Sequence, residues 1–361
     1  MLVTAVEARP LRSLSEARVE LGEGIVSLIG PNGAGKTNLL EALYFALTGR
    51  SFRTTDRREL IPFGGDLARA EATIRDETGS EHRLLASVSR SEGRRHLIDG
   101  SPADPATVAR HRPPVAIFSP DRLSLVKGPP AERRAHLDRY VAARWPARAG
   151  LRQRYGQVLA QRNALVGRLA AGLSGDLDVW DASLAETAAE LVAAREGAVA
   201  ELAEPFAVAA EDLGLAGAAA IEYAPRAAGS ADEIRAGLAE RRDADLRLGR
   251  TSWGPHLDEL KIDLAGRSVR RYGSQGQQRA ALLALLFAER EALLTARAVV
   301  PLLLLDDVMS ELDPRRRERL VGRLGRGGQA LISAAAEESV PAAARERVVR
   351  MPFGIGRAEA A

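Results

Sequence analysis

The chain has 361 residues and no cysteine. Neither a disulfide nor a thiolate-held metal therefore has a place in its chemistry. No apolar run approaches the roughly 20 residues that a membrane-spanning helix needs. The N-terminal stretch MLVTAVEARPLRSL lacks the continuous apolar segment of a secretory signal. These absences are compatible with a cytoplasmic protein. Lysine is scarce as well, occurring only at 36, 127 and 261 against 51 basic residues in all, so nearly every cation is an arginine. The planar guanidinium fork suits phosphate oxygens. Acidic residues number 48, however, and a net charge of +3 does not by itself predict a polyanionic partner. There is no fixed-period repeat, and helical stretches interrupted by Gly and Pro exclude a long coiled coil.

What is present is a globular composition, 46% hydrophobic and 27% charged. The first 50 residues read strand, turn, strand, loop, helix. GIVSLIG (24–30) has the apolar, β-branched character of a buried strand. NLLEALYFALTG follows the glycine-rich loop, with Leu39, Leu43, Ala46 and Leu47 on one helical face and Gly49 at the C-cap. Residues 67–100 alternate like antiparallel strands, with Asp99-Gly100 as a turn. Residues 131–212 read as mainly helical, with apolar spacing from Leu151 to Leu169 and an interruption at Pro205. Ser230 and Glu233 resemble a capping box opening a helix to about 247. LKIDLAG (260–266), VVPLLLLDD (299–307) and QALISA (329–334) read as strands. These elements predict an α/β fold at both ends of the chain and a helical insertion between them.

Gly30-Pro31-Asn32-Gly33-Ala34-Gly35-Lys36-Thr37 fits the phosphate-binding pattern G-x-x-x-x-G-K-[ST], between a strand and a helix as that pattern requires. Glycines let backbone N–H groups turn inward around phosphates, and the helix N-terminus adds a positive dipole. Lys36 is placed to reach the β- and γ-phosphates and Thr37 to help hold Mg²⁺; Asn38 follows in the helix. Asp306, at the end of an apolar strand, has the position of a Mg²⁺ ligand in P-loop nucleotidases. Asp307 follows it, where a carboxylate orients or polarises an attacking water. Helix capping is the alternative for both aspartates. Ser310-Glu311-Leu312-Asp313 reads on its own as an N-cap with an acidic first turn. Ser274-Gln275-Gly276-Gln277 opens a helix and offers a hydroxyl, N–H groups and a dipole to an anion. The P-loop already serves phosphates in its own subunit, so this second anion site suits a γ-phosphate held by another copy of the chain.

The order of P-loop, S-x-G-Q segment, Asp-Asp strand end and S-x-L-D loop resembles the ABC-type ATPases. In detail it resembles the RecF family of bacterial DNA replication and repair proteins. The stretches that carry the likeness are GPNGAGKTNLLEALYFALTGRSFRT, FSPDRLSLVKGPPAERRAHLD, TSWGPHLDELKIDLAGRSVRRYGSQGQQRAALLALLFAE and LLLLDDVMSELD. The resemblance implies an ABC-type head, with a mixed P-loop sheet and an antiparallel β subdomain, carrying a helical arm. It divides the chain into 1–130, the N-terminal part of the head; 131–248, the arm; and 249–361, the C-terminal part of the head. It implies ATP and Mg²⁺ as cofactors and an ATP-dependent homodimer. Ser274, Gln275, Gly276 and Gln277 would then touch the γ-phosphate in trans, and Ser310, Glu311, Leu312 and Asp313 would line the dimer seam. It further implies binding to DNA at single-strand/double-strand junctions and gaps, slow ATP hydrolysis, and help in loading RecA with the partners RecO and RecR. Asp307 stands where transporters usually carry glutamate. The switch-histidine place holds Ala334 or a neighbour, and the Q-loop region falls at 118–120 with no glutamine. Backbone-directed arginines are expected among Arg50, Arg53, Arg57 and Arg58 after the P-loop helix and Arg133 and Arg134 at the start of the arm. Solvated surface arginines are the alternative for each of them. A transporter nucleotide-binding subunit and an SMC-like structural tether are the competing functions.

Overall fold

The computed structural model describes residues 1–297, 300–351 and 359–360. The chain forms two compact units. One comprises Met1–Arg122, Asp212–Gly214 and Leu293–Ala361, and the other Leu123–Glu211 and Leu215–Ala292. These breaks differ from the division at 130/131 and 248/249, because residues 249–292 pack within the helical unit.

The first unit holds two six-stranded sheets. The antiparallel sheet runs Ala17–Glu20, Leu2–Ala8, Leu67–Arg75, Glu81–Ser89, Gly93–Ile98 and Ser101–Pro102. Its long strands alternate buried and open positions, so one face meets the core and the other meets water. Asp99 and Gly100 both take positive φ (51° and 83°), the geometry of a tight primed hairpin turn. The other sheet runs Glu359–Ala360, Val348–Arg350, Ile25–Ile29, Ala330–Ala334, Leu302–Leu305 and Val115–Phe118, parallel except at its Glu359–Ala360 edge. The buried strand expected over 299–307 is formed by Leu302–Leu305, and Val299 lies outside the described residues.

The helix Lys36–Thr48 packs against the antiparallel strands and against Ala330–Ala334. Leu39, Leu43, Ala46 and Leu47 are buried as expected, and so are Leu40, Ala42 and Phe45 from the other sides. A helix buried all round has no polar face to give a clean stripe, which is why the periodicity alone understated its burial. Gly49 ends it in the left-handed conformation, φ 63°, with its N–H bonded to Phe45 O at 2.7 Å.

The second unit contains the helices Pro130–Arg144 and Leu151–Ala170, most of Asp178–Asp212, and a three-stranded antiparallel sheet of Ala219–Ala224, Glu259–Leu264 and Arg267–Ser268. Pro205 does not interrupt Asp178–Asp212. Proline forfeits one i→i−4 bond, while Leu202, Phe206, Ala209 and Ala210, all buried, carry the helix past it. At 35 residues this is the longest helix described, far short of a coiled-coil arm. The capping box at Ser230 and Glu233 is present, but that helix stops at Glu240 and a short one, Arg242–Leu248, follows. On the helix Leu151–Ala170 the inner face includes Leu151, Tyr155 and Val166 and, among them, fully buried Arg162.

Two ion clusters hold this unit. Arg162 donates to Asp181 at 2.6 Å and to both Asp245 and Thr251 at 2.7 Å. Arg195 donates to Asp138 at 2.8 Å, to Asp258 at 2.9 Å and to Pro255 O at 2.7 Å, while Tyr223 and Arg226 N also donate to Asp258. Thr251, Pro255 and Asp258 belong to the single stretch TSWGPHLDEL, which is thereby fastened to both long helices.

Candidate nucleotide site

The P-loop leaves the central strand Ile25–Ile29 and turns at Gly33 and Gly35, whose φ values are 83° and 90°. Only glycine takes such angles without strain. At Gly30 a Cβ would come within 2.9 Å of Met351 O, so the loop also has no room for a side chain there. Lys36 folds back over the loop and donates to Gly30 O at 2.5 Å and Pro31 O at 2.9 Å. Burial lowers its pKa, opposed by the nearby carboxylates of Asp307 and then Asp306.

The acidic strand end reaches the same place from two strands away. Thr37 Oγ1 donates to Asp306 at 2.9 and 3.0 Å. Between their strands lies Ala330–Ala334, and from it Ser333 Oγ donates to Asp306 Oδ1 at 2.7 Å. Burial raises the Asp306 pKa, and the Ser333 and Thr37 hydroxyls pull it back. A buried carboxylate beside a threonine hydroxyl is an all-oxygen donor set that fits Mg²⁺. Asp307 sits in the left-handed region, φ 49°, unusual for a residue with a side chain, and its N–H donates to Ser333 Oγ at 2.8 Å. Ser333 thus locks both aspartates. It stands next to Ala334, the switch-histidine place, and its signal in the sequence is a lone polar residue in an apolar strand. Phe118 O accepts the Asp306 N–H at 2.8 Å, which puts the 118–120 segment beside the acidic strand end.

A second unforeseen group supports the helix that carries Lys36. Glu41, fully buried, accepts Arg12 through Nε at 2.7 Å and Nη2 at 3.0 Å, Ser51 Oγ at 2.5 Å and Arg53 at 3.4 Å. Arg53 also donates to Asn38 at 3.1 Å, and Asn38 to Ser13 at 2.7 Å. The loops 11–13 and 51–54 are therefore tied to the first turns of the P-loop helix.

The chain matches the family model for the RecF/RecN/SMC N-terminal domain over residues 2–354. The DNA replication and repair protein RecF of Streptomyces avermitilis is 38% identical to it, with 94% of this chain and 95% of that protein covered. The chain belongs to the RecF family. RecF of Myxococcus xanthus is 36% identical, covering 92% of this chain and 90% of the relative. Among solved structures, the recombination mediator protein RecF of the RecFOR pathway, determined as RecF-ATP, superposes with a TM-score of 0.88 at 27% identity, covering 99% of this chain and 97% of that one. A second, RecF-ATPrS, gives 0.86 with 99% and 98% covered. An Smc head bound to the C-terminal winged-helix domain of ScpA shares the fold at a TM-score of 0.62 and 16% identity. The fold is thus an ABC-type ATPase head with a helical part and no long coiled coil.

Ser274 caps the helix Gln275–Arg297: Gln277 N donates to Ser274 Oγ at 3.2 Å, and Ser274 N to Gln277 Oε1 at 2.8 Å. This reciprocal box leaves the N–H groups of Gln275 and Gly276, in the first turn, without a partner inside the helix. The N-cap of the helix Pro314–Leu324 is Asp313, bonded to Arg316 N at 3.0 Å, not Ser310, and that helix has no acidic first turn. Ser310 instead donates to Asp307 O at 2.9 Å, with Glu311 between it and buried Leu312.

Arg133 is not the backbone-directed arginine expected at the start of the arm. It is 3% exposed and spends its guanidinium on Glu259 (2.6 and 2.9 Å) and on the carbonyls of Leu125, Val126 and Gly128, so a DNA phosphate has no route to it. Arg134 is half-buried and donates to Asp258 O at 2.8 Å. Arg50, Arg53 and Arg58 are exposed and Arg57 is partly so.

Proposed function

We propose that the chain is an ATP-controlled DNA-binding protein of recombinational repair and replication-fork maintenance. The observation that carries the reading is the Lys36–Thr37–Asp306–Ser333 cluster, which sets a cation, a metal-binding pair and a phosphate cradle at one point of a RecF-family head. ATP phosphates replace the Gly30 and Pro31 carbonyls as partners of Lys36, and the N–H groups of residues 33–38 turn towards them. Thr37 and Asp306 would hold Mg²⁺, which would supply charge neutralisation to the phosphates. Asp307, pinned by Ser333, orients the attacking water, and its short side chain fits slow hydrolysis. Ser274, Gln275, Gly276 and Gln277 of a second copy complete the site in trans, and Ser310–Asp313 line the seam. Residues 1–130 and 249–361 act as the head and 131–248 as its arm. The protein binds gapped and junction DNA and helps to load RecA with RecO and RecR in the cytoplasm. Family membership sets aside the transporter-subunit reading, and the short helices set aside the tether.

The test is ATP turnover and ATP-dependent retention of the protein on gapped duplex. Stimulation by gapped DNA and retention with ATP are expected; the loss of both overturns the proposal. Ser274→Arg should bind ATP with an affinity close to that of the parent protein and form no ATP-driven dimer. Sedimentation showing parental dimers in that variant would refute the trans assignment.

A further inference from the structure

One end of the antiparallel sheet carries arginines that form no ion pair among the described residues. Leu67 pairs with Ser89 and Ser89 with Gly93, so the turn before Leu67, the bend at residues 90–92 and Arg94 gather at that end. The end of the P-loop helix joins them: the Arg94 guanidinium lies 3.3 Å from the Cβ position of Gly49, and Arg50 is the next residue. Arg57 opens the short turn Arg57–Leu60. Among the described residues Arg50, Arg57, Arg94 and Arg112 form no ion pair, whereas neighbouring Arg95 pairs with Glu92 at 3.1 Å. The one side-chain bond of Arg112 is to Pro113 O at 3.0 Å. Burial lowers the pKa of Arg94, with Arg57 and Arg50 adding to the effect, and Arg112 is shifted the same way by burial and Arg50.

The simplest role for cations here is to complement the helix C-terminus. The last carbonyls of that helix take their hydrogen bonds from other groups and, among the described residues, none comes from an arginine. His96 Nε2 meets Ala46 O at 2.8 Å, Gly49 N takes Phe45 O, and Thr48 Oγ1 takes Tyr44 O at 2.6 Å. The arginines are left over. At the same sheet end the turn Pro62–Gly65 closes through Gly65 N to Pro62 O at 3.0 Å, and Arg90 Nε donates to Gly65 O at 3.2 Å. Phe63 stands at the tip of this turn, fully exposed.

Like charges without a counter-charge destabilise the free protein, and a bare phenyl ring forgoes about 1.5–3 kcal/mol of burial. A ligand with closely spaced anions and flat apolar faces resolves both. We propose that this sheet end is a nucleic-acid site, in which Arg50, Arg57 and Arg94 hold backbone phosphates and Phe63 stacks on an unpaired base. The inference rests on the DNA-binding reading above and adds to it where the strand lies and what senses an unpaired base. An acidic protein segment would use the arginines but has no use for Phe63.

Arg57→Ala/Arg94→Ala and Phe63→Ala are compared with the parent protein by fluorescence anisotropy, with ATP, on intact and gapped duplex over a range of salt. The double variant should lose about tenfold or more on both DNAs, with a salt slope shallower by about 2, one unit per phosphate contact. Phe63→Ala should lose about tenfold on gapped DNA only, in line with about 1–3 kcal/mol per stacked base. ATP affinity should be unchanged in both. Parental affinity and slope in the double variant overturn the proposal, even where an acidic protein partner is lost. Equal weakening on both DNAs in Phe63→Ala removes the stacking role. If the parent protein itself binds neither DNA with ATP, it is the DNA-binding reading that fails.

Discussion

Lys36→Ala is expected to lower ATP turnover by about 10²–10³-fold, the range seen when one preorganised donor to a developing negative charge is removed. The ammonium is poised by its surroundings. It is 8% exposed, held over the loop by Gly30 O and Pro31 O, and faced by Asp306 and Asp307. Phosphate oxygens offer stronger partners than those carbonyls, so the side chain moves over a short distance into a charge-assisted bond. A planar guanidinium fork does not reproduce the single-point contacts of an ammonium, and Lys36→Arg should be impaired as well, with the fold retained. Single-turnover hydrolysis and fluorescent-nucleotide titration check this. Turnover close to that of the parent protein would show that the P-loop amides and Asp306 suffice without the lysine.

The largest effect on stability is expected in the helical unit, at Arg162. Arg162→Met removes the one cation between Asp181 and Asp245, both buried. Asp181 keeps Arg242 as a partner, and Asp245 keeps only Ser252 N at 2.8 Å and Ser252 Oγ at 2.6 Å. Breaking a buried pair from one side costs about 3–5 kcal/mol, because a charge is left without compensation. In a unit of this size that lowers Tm by about 10 °C. Thermal melting followed by circular dichroism is the measurement, and a Tm within a degree or two of the parent would show the cluster to be dispensable.

The P-loop was legible in the sequence because its chemistry is local. Eight consecutive residues fix the glycines, the lysine and the hydroxyl, and a strand and a helix on either side confirm them. Asp306 was legible for a similar reason, at the end of an apolar run. Ser333 and Glu41 were not. Ser333 acts on residues 26 and 27 positions away, and Glu41 on Arg12 in a loop 29 residues earlier. No spacing rule within one element reports such pairs. Arg133 was misjudged because a surface arginine and a buried one look alike until the carboxylate that partners it, Glu259, is placed 126 residues away. Pro205 misled for the opposite reason: local stereochemistry argues for a break, and tertiary packing on both sides outweighs one missing bond.

The helix Lys36–Thr48 has its middle turns closed off from water except at half-buried Tyr44. Its amides from Leu39 to Leu47 therefore exchange with solvent deuterium only when the surrounding core opens as a whole. They form a built-in gauge of the stability of the first unit. Anything that binds the folded state alone slows them by the factor 1 + [L]/Kd, about 100-fold for a ligand at a hundred times its Kd. Exchange at these few positions thus reads nucleotide affinity without a label, a partner or a turnover event.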